Sequence, residues 1–326
     1  MSLFSDRKRV PVTHEPEAPP LRPVPLGQVP ASPTPRLPKC PGIHYEAGSY
    51  NRDGELLIHE PLADAFLLHL ARHLSAKARK RRPARLFCVA GPGGNGKTET
   101  LLALASRHGV DTLMIAGADL LPGPRHGASI GVINHCLDYI QAATAQSGRP
   151  CVWGFDDADS SILPEKPNVE QTDDTANTIG KIQAICNSPD RYTDANGLSI
   201  PLWWTVNSTI HFRPTLIRPG RCRLYNHEPD LDHKQRVVEF IYKPFDRDRK
   251  GLRKLVFAYQ HRPISFFADL RNDLADAAIT AVIQREGLAP AAIDQAIDDT
   301  KPFDLSALWA AAARRDRHNG GDFSKE

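Results

Sequence analysis

The residues best suited to chemistry lie together in Gly91-Pro92-Gly93-Gly94-Asn95-Gly96-Lys97-Thr98, which satisfies G-x-x-x-x-G-K-[ST]. Glycines at these places let the backbone turn sharply and present several N–H groups inward. A following helix adds the positive end of its dipole, so the loop becomes a cradle for phosphate oxygens. Lys97 is expected to reach the β- and γ-phosphates of ATP, and the Thr98 hydroxyl to sit on Mg²⁺. Glu99 completes the candidate nucleotide-binding stretch, Gly91 to Glu99.

Further along, Cys151-Val152-Trp153-Gly154-Phe155-Asp156-Asp157-Ala158-Asp159 is an apolar run that ends in acids. Two carboxylates at a strand tip beside a phosphate loop have a use: one orients the Mg²⁺ shell and the other polarises the attacking water. Asp156 is expected on the metal side and Asp157 on the water side. Pro201-Leu202-Trp203-Trp204-Thr205-Val206-Asn207 is a second apolar run with a polar end, which places Asn207 to meet the γ-phosphate or the lytic water. In Thr215-Leu216-Ile217-Arg218-Pro219-Gly220-Arg221 two arginines flank a Pro-Gly turn. A guanidinium fork pairs phosphate oxygens bidentately, and this loop is expected to serve a neighbouring subunit's nucleotide in trans, through Arg218 and Arg221. Arg271 is a candidate contact to the γ-phosphate in cis.

Hydrophobic periodicity supplies the elements that hold these groups. Strands are expected at 85–90, 111–116, 151–159 and 201–207, and helices at 99–107, 128–145 and 175–187. The polar, proline-containing stretch 163–174 reads as a loop. Beyond Asp230 the pattern is helical, at 234–242, 251–259, 265–284 and more briefly 304–313. The division this suggests is a Pro-rich arm over 1–50, a nucleotide-binding α/β domain over 51–230, a helical lid over 231–300, and a short helix and tail over 301–326.

Composition narrows the class. Of 326 residues 41% are hydrophobic, enough for a sizeable core, and the net charge of +3 demands neither nucleic acid nor a membrane as partner. The six cysteines form no C-x-x-C pair and no zinc spacing, which fits a reducing compartment. With no apolar leader pattern and no run long enough to span a bilayer, a cytoplasmic location is the expectation. The run Lys77, Arg79, Lys80, Arg81, Arg82 and Arg85 is basic but has no interleaved aromatics, so it reads as a solvated helix end or subunit rim rather than a phosphate-backbone patch.

Taken in order, the phosphate loop, the Asp-Asp strand tip, the Asn-ended strand, the LIRPGR loop and the helical lid resemble the AAA+ ATPases, and more closely the Rubisco activase family. Four stretches carry the likeness: Trp204-Thr205-Val206-Asn207 through Arg221 and Tyr225; Ile264-Ser265-Phe266-Phe267-Ala268-Asp269-Leu270-Arg271; Cys151 to Asp159; and Leu57 to Leu74. The resemblance implies an α/β fold of the AAA+ P-loop NTPase type, with a parallel-sheet αβα core and a C-terminal helical lid. It also implies Mg²⁺-dependent ATP hydrolysis, a homo-oligomeric ring, chaperone-like remodelling of a protein partner, Arg218 and Arg221 as trans fingers, and Arg271 as lid sensor. The likeness has departures. The loop reads GPGGNGKT, Asp156 stands where activases tend to have Asn, and Asp273 stands where they often carry a second lid arginine. The protein partner is therefore left open, with Rubisco only one candidate. An AAA+ ATPase acting on nucleic acid, as a loader or mobile-element helper, is the alternative, and a nucleotide-gated scaffold with little turnover a third reading. The loop Leu120-Leu121-Pro122-Gly123 with Pro124-Arg125-His126 has no aromatic, which points to local tugging rather than processive threading.

Overall fold

The computed structural model describes residues 37–52, 56–120, 128–160, 173–188, 190–209, 212, 214–243, 248–299 and 305–319. Six strands form one sheet among them: β1 (Ile43–Tyr45), β2 (Leu86–Ala90), β3 (Asp111–Ala116), β4 (Cys151–Asp156), β5 (Leu202–Val206) and β6 (Cys222–Asn226). Their order is β1-β3-β4-β5-β2-β6, and all neighbours run parallel except β1, which pairs antiparallel with β3. The phosphate loop leaves β2, the Asp-Asp tip ends β4 and Asn207 follows β5, so parallel pairing delivers all three to the same sheet edge.

The strands read as continuous apolar runs because helices cover both faces. Period-two alternation divides their side chains between two cores. Leu86, Cys88, Trp153, Phe155, Trp204 and Val206 face α4 (Ala128–Ser147) and α5 (Asp173–Asn187). Phe87, Val89, Val152 and Trp203 face α1 (Glu60–Leu74) and α3 (Lys97–Arg107). Trp153, Trp203 and Trp204 are fully buried, as core rather than contact residues. A short α2 (Ala76–Arg79) follows α1, and α6 (Pro214–Ile217) precedes the Arg218 turn.

A third core belongs to the helical part: α7 (Leu231–Ile241), α8 (Arg249–Ala258), α9 (Ile264–Glu286) and α11 (Leu305–Asn319), with α10 (Pro290–Asp299) packed on α9. Val238, Leu255, Phe266, Phe267, Leu270, Leu308 and Ala312 meet there. Among the described residues no helix is long and apolar enough to cross a membrane.

The elements differ from the sequence reading in four places. Part of the expected Pro-rich arm is a strand: β1 pairs Ile43 with Met114 and Tyr45 with Thr112 at the sheet edge. Three residues are too few for periodicity to register. Cys222–Asn226, unassigned from the sequence, is a strand, and its mixed burial hides a sheet-edge position. The 304–313 helix runs to Asn319 and closes the lid core; Arg315 binds Asp269 at 2.8 Å and Asp273 at 2.6 Å. Asp273, at the place of the expected second lid arginine, thus fastens α11 to α9. Finally, α10 was not anticipated. The loop residues 121–126 and most of 163–174 lie outside the described residues.

Gly154 of β4 stands opposite Trp203 of β5, and a Cβ there would lie 2.2 Å from the indole ring. Gly154→Ala is expected to lower stability by about 1–3 kcal/mol. Gly180→Ala, on the exposed side of α5 with no atom within 4 Å of the added carbon, is expected to be neutral or to stabilise by about 0.4–1 kcal/mol. Urea midpoints in the reverse order would contradict this packing.

Candidate nucleotide site

The loop between β2 and α3 turns on two glycines in the left-handed region, Gly94 and Gly96, both at φ 74°. The first-turn N–H groups of α3 have no intrahelical acceptor, which leaves them for an anion. Lys97 Nζ donates to the carbonyls of Gly91 (2.6 Å) and Pro92 (3.0 Å) and to Asn207 Oδ1 (3.3 Å). The end of β5 therefore meets the phosphate-loop lysine, as the sequence spacing suggests. Gly93 lies in the same place: a Cβ on it would be 3.4 Å from Asn207 Oδ1.

Asp156 is the second point of convergence. Its Oδ1 accepts from the Thr98 hydroxyl at 2.5 Å and from the Thr205 hydroxyl at 2.6 Å. An oxygen pair of a hydroxyl and a carboxylate beside a phosphate cradle is the donor set Mg²⁺ prefers, so these residues fit that ion. Asp157 is exposed and carries a left-handed backbone, φ 47°, its N–H held by Thr205 Oγ1 at 3.1 Å. Partial burial, then the neighbouring Asp156 and Asp159 carboxylates, raise its pKa above the ordinary value. Aspartate is among the non-glycine residues that take this conformation most readily, so the turn after β4 suits an acid here.

Some positions fall elsewhere than expected. The Glu99 side chain does not join the cradle: it accepts from the Tyr50 hydroxyl and lies 3.6 Å from Arg52, which tethers α3 to the preceding segment. Arg218 is exposed, whereas Arg221 turns back on its own chain, donating to Asn187 Oδ1 at 2.7 Å and to the Thr215 carbonyl. The lid reaches the loop through the start of α9. Ser265 N–H donates to the Gly94 carbonyl at 2.9 Å and Ile264 N–H to Asn95 Oδ1 at 3.1 Å. Arg271 is exposed, two helical turns farther along on the face of Ile264.

Sequence reasoning passed over three contributors. Asp159 Oδ2 accepts the backbone N–H of Asn207 (2.8 Å) and of Ser208 (3.3 Å), so the third acid of the DDAD run fixes the end of β5. Thr205 joins β5 to the acids, as described. His227 closes the loop from behind: its Nε2–H donates to the Asn95 carbonyl at 3.0 Å, and its carbonyl lies where a Cβ on Gly91 would sit. His59 packs edge-on between His227 and His233, with ring centroids 5.3 Å and 4.6 Å away. The third acid was visible in the run of acids; nothing in the sequence spacing joined the histidines.

Residues 87–229 match the model of the ATPase family associated with various cellular activities (AAA). The chain carries an AAA ATPase domain. Its sheet, flanking helices and helical C-terminal region are those of the αβα fold of that class. Over 237 residues it is 24% identical to the ribulose bisphosphate carboxylase/oxygenase activase of Nostoc sp. (strain PCC 7120), covering 69% of this chain and 56% of that protein. It is 27% identical over 214 residues to the peroxisomal ATPase PEX6 of Colletotrichum orbiculare, covering 64% of this chain and 14% of that protein. For PEX6 of Saccharomyces cerevisiae the figures are 28% over 180 residues, 54% and 16%. The chain thus spans about half the length of the first relative and a small part of the others.

Burial lowers the pKa of His227, His233 and His73 from 6.5 to about 4, so all three are neutral in the folded chain at neutral pH. Between those values the unfolded chain binds more protons than the folded one. Stability is therefore whole above pH 6.5 and falls as pH drops toward 4, by on the order of 1 kcal/mol per pH unit for each such histidine. Urea midpoints at neutral and mildly acid pH measure this, and His227→Asn is expected to flatten the slope.

Proposed function

We propose that this chain hydrolyses ATP in a homo-oligomeric ring and uses the turnover to remodel a protein partner. The observation that carries the reading is the meeting of Lys97 Nζ with Asn207 Oδ1 beside the Thr98–Asp156 pair. It gathers a cation, a metal-type oxygen pair and a polar orienting group at one sheet edge. In this reading Gly91 to Thr98 hold the phosphates of ATP, and Thr98 and Asp156 hold Mg²⁺, which neutralises charge developing on the phosphate oxygens when bound. Asp157 takes the proton of the water that attacks the γ-phosphorus, and its raised pKa suits a proton acceptor. Asn207 orients that water, and Asp159 holds Asn207 in place.

Arg218 is the group assigned to a neighbouring subunit's nucleotide. Its exposure supports that role, while the bonds from Arg221 to Asn187 and Thr215 suit a positioning part in the same loop. The lid start on Gly94 and Asn95 supports coupling of nucleotide state to lid position, with Arg271 as the lid's cation. Remodelling of protein is favoured over action on nucleic acid because both groups of relatives are named for other roles: an activase of an enzyme and a peroxisomal ATPase. The absence of an aromatic from the sequence at 120–126 favours local tugging of the partner over threading.

ATPase rate per subunit is expected to rise with protein concentration. Arg218→Ala is expected to lose about 10³-fold in rate, and Asp157→Asn about 10²-fold or more. Mixing Arg218→Ala with Lys97→Ala protein is expected to restore part of the activity, because each supplies what the other's site lacks. A rate independent of concentration, with Arg218→Ala unimpaired, would overturn the shared-site reading.

A further inference from the structure

The basic run that the nucleotide site leaves unused borders a cavity of about 510 Å³, lined by Arg72, Ser75, Lys77, Ala78, Arg81 and Pro83. Three of these side chains are cations and none is acidic. Lys80 and Arg82 are neighbours of these residues in sequence, and Arg79 donates to the Gly197 carbonyl at 2.6 Å. From Arg72 to Arg85 the chain holds seven cations and no acid, more than the whole chain's net charge of +3, so the rest of the molecule is net acidic.

These cations stand on an ordered turn. Arg81 and Arg82 N–H groups donate to the carbonyls of Ala78 (3.1 Å) and Arg79 (2.9 Å), and Arg82 holds a left-handed φ of 49°. Pro83 then fixes the exit into β2. A strained non-glycine residue persists only where its surroundings hold it, so the turn is set rather than loose. Beneath it, the ring nitrogens of His73 meet Ser199 Oγ (3.3 Å) and the Ala84 carbonyl (3.0 Å). Arg85 is buried and donates to Ser199, Ile185 and Tyr192. His73 and Arg85 are thereby held by hydrogen bonds from within the fold.

We propose that this cavity binds a compact polyanion, a ligand with two or more clustered phosphate groups. Its volume lies in the range of small-molecule sites, and its two guanidinium forks and one ammonium suit phosphate oxygens. The concave form on a short turn favours such a ligand over a duplex, which would call for cations spread along a rail. The site lies at the opposite end of β2 from the phosphate loop, about 16 Å away for five residues of strand. It is therefore separate from the nucleotide site and directly joined to it by one strand.

The test uses inorganic tripolyphosphate, titrated calorimetrically into full-length protein saturated with Mg-ADP. Binding with a one-to-one stoichiometry is expected, weakening as salt rises. The variant R72E/R81E is expected to weaken it at least 10-fold, while R72K/R81K retains most of it. Urea midpoints of both variants are to match the parent. Lys97→Ala is expected to leave this binding unchanged. Absence of binding, equal binding by R72E/R81E, or loss in Lys97→Ala would each overturn the proposal, the last by assigning the signal to the phosphate loop. A 12-bp DNA duplex that binds more tightly and displaces tripolyphosphate would overturn it in favour of nucleic acid.

Discussion

One carboxylate oxygen holds the site together. Asp156 Oδ1 takes the hydroxyl hydrogens of Thr98 and Thr205, and so joins β4 to the first turn of α3 and to β5. A carboxylate at a sheet edge is only partly desolvated, so two hydroxyl donors satisfy it without an opposing cation. Lys97 remains directed to the loop carbonyls and Asn207. The phosphate cradle, the acids and the β5 terminus thereby keep one relative placement, which phosphoryl chemistry needs because it depends on positioning and charge.

The lid bears directly on that cradle. Gly94 has no Cβ where Ser265 packs: one built there would lie 2.1 Å from the serine hydroxyl. The same glycine is needed for its left-handed φ, so two constraints converge on one position. Because α9 begins at Ile264 and carries Phe266, Phe267 and Leu270 into the lid core, a shift of the phosphate loop presses on a rigid helix, not a loop. Arg315 and its two aspartates extend this rigidity to α11.

Much of this was legible in the sequence, for physical reasons that also explain the misses. Buried parallel strands are continuous apolar runs, so β2, β4 and β5 stand out, and their chemistry follows at once at their C-terminal ends. Lys97 reaches Asn207, and Asp156 reaches Thr98, at those ends. The edge strands β1 and β6 do not stand out, because a half-covered edge needs no such run. The Glu99 side chain turns to Tyr50 and Arg52, because adjacency in sequence to a phosphate loop says nothing of which way a helical side chain turns. Arg221 likewise shares a turn with Arg218 yet bonds to its own chain.

The histidines show a different limit. His59, His227 and His233 come from the start of α1, the end of β6 and the first turn of α7, and only the folded chain brings their rings together. Such a stack is stable only while neutral, since burial opposes charge on each ring and each charged ring would repel the others. It ties the back of the phosphate loop, through the Asn95 carbonyl, to the hinge where the lid begins. Loop and lid are therefore joined twice: at the front by Ser265 and Ile264, and at the back by uncharged aromatic contacts. Two attachments on opposite sides restrain rotation as well as separation. A lid so held is coupled to the phosphate loop through contacts from both α9 and the histidine stack.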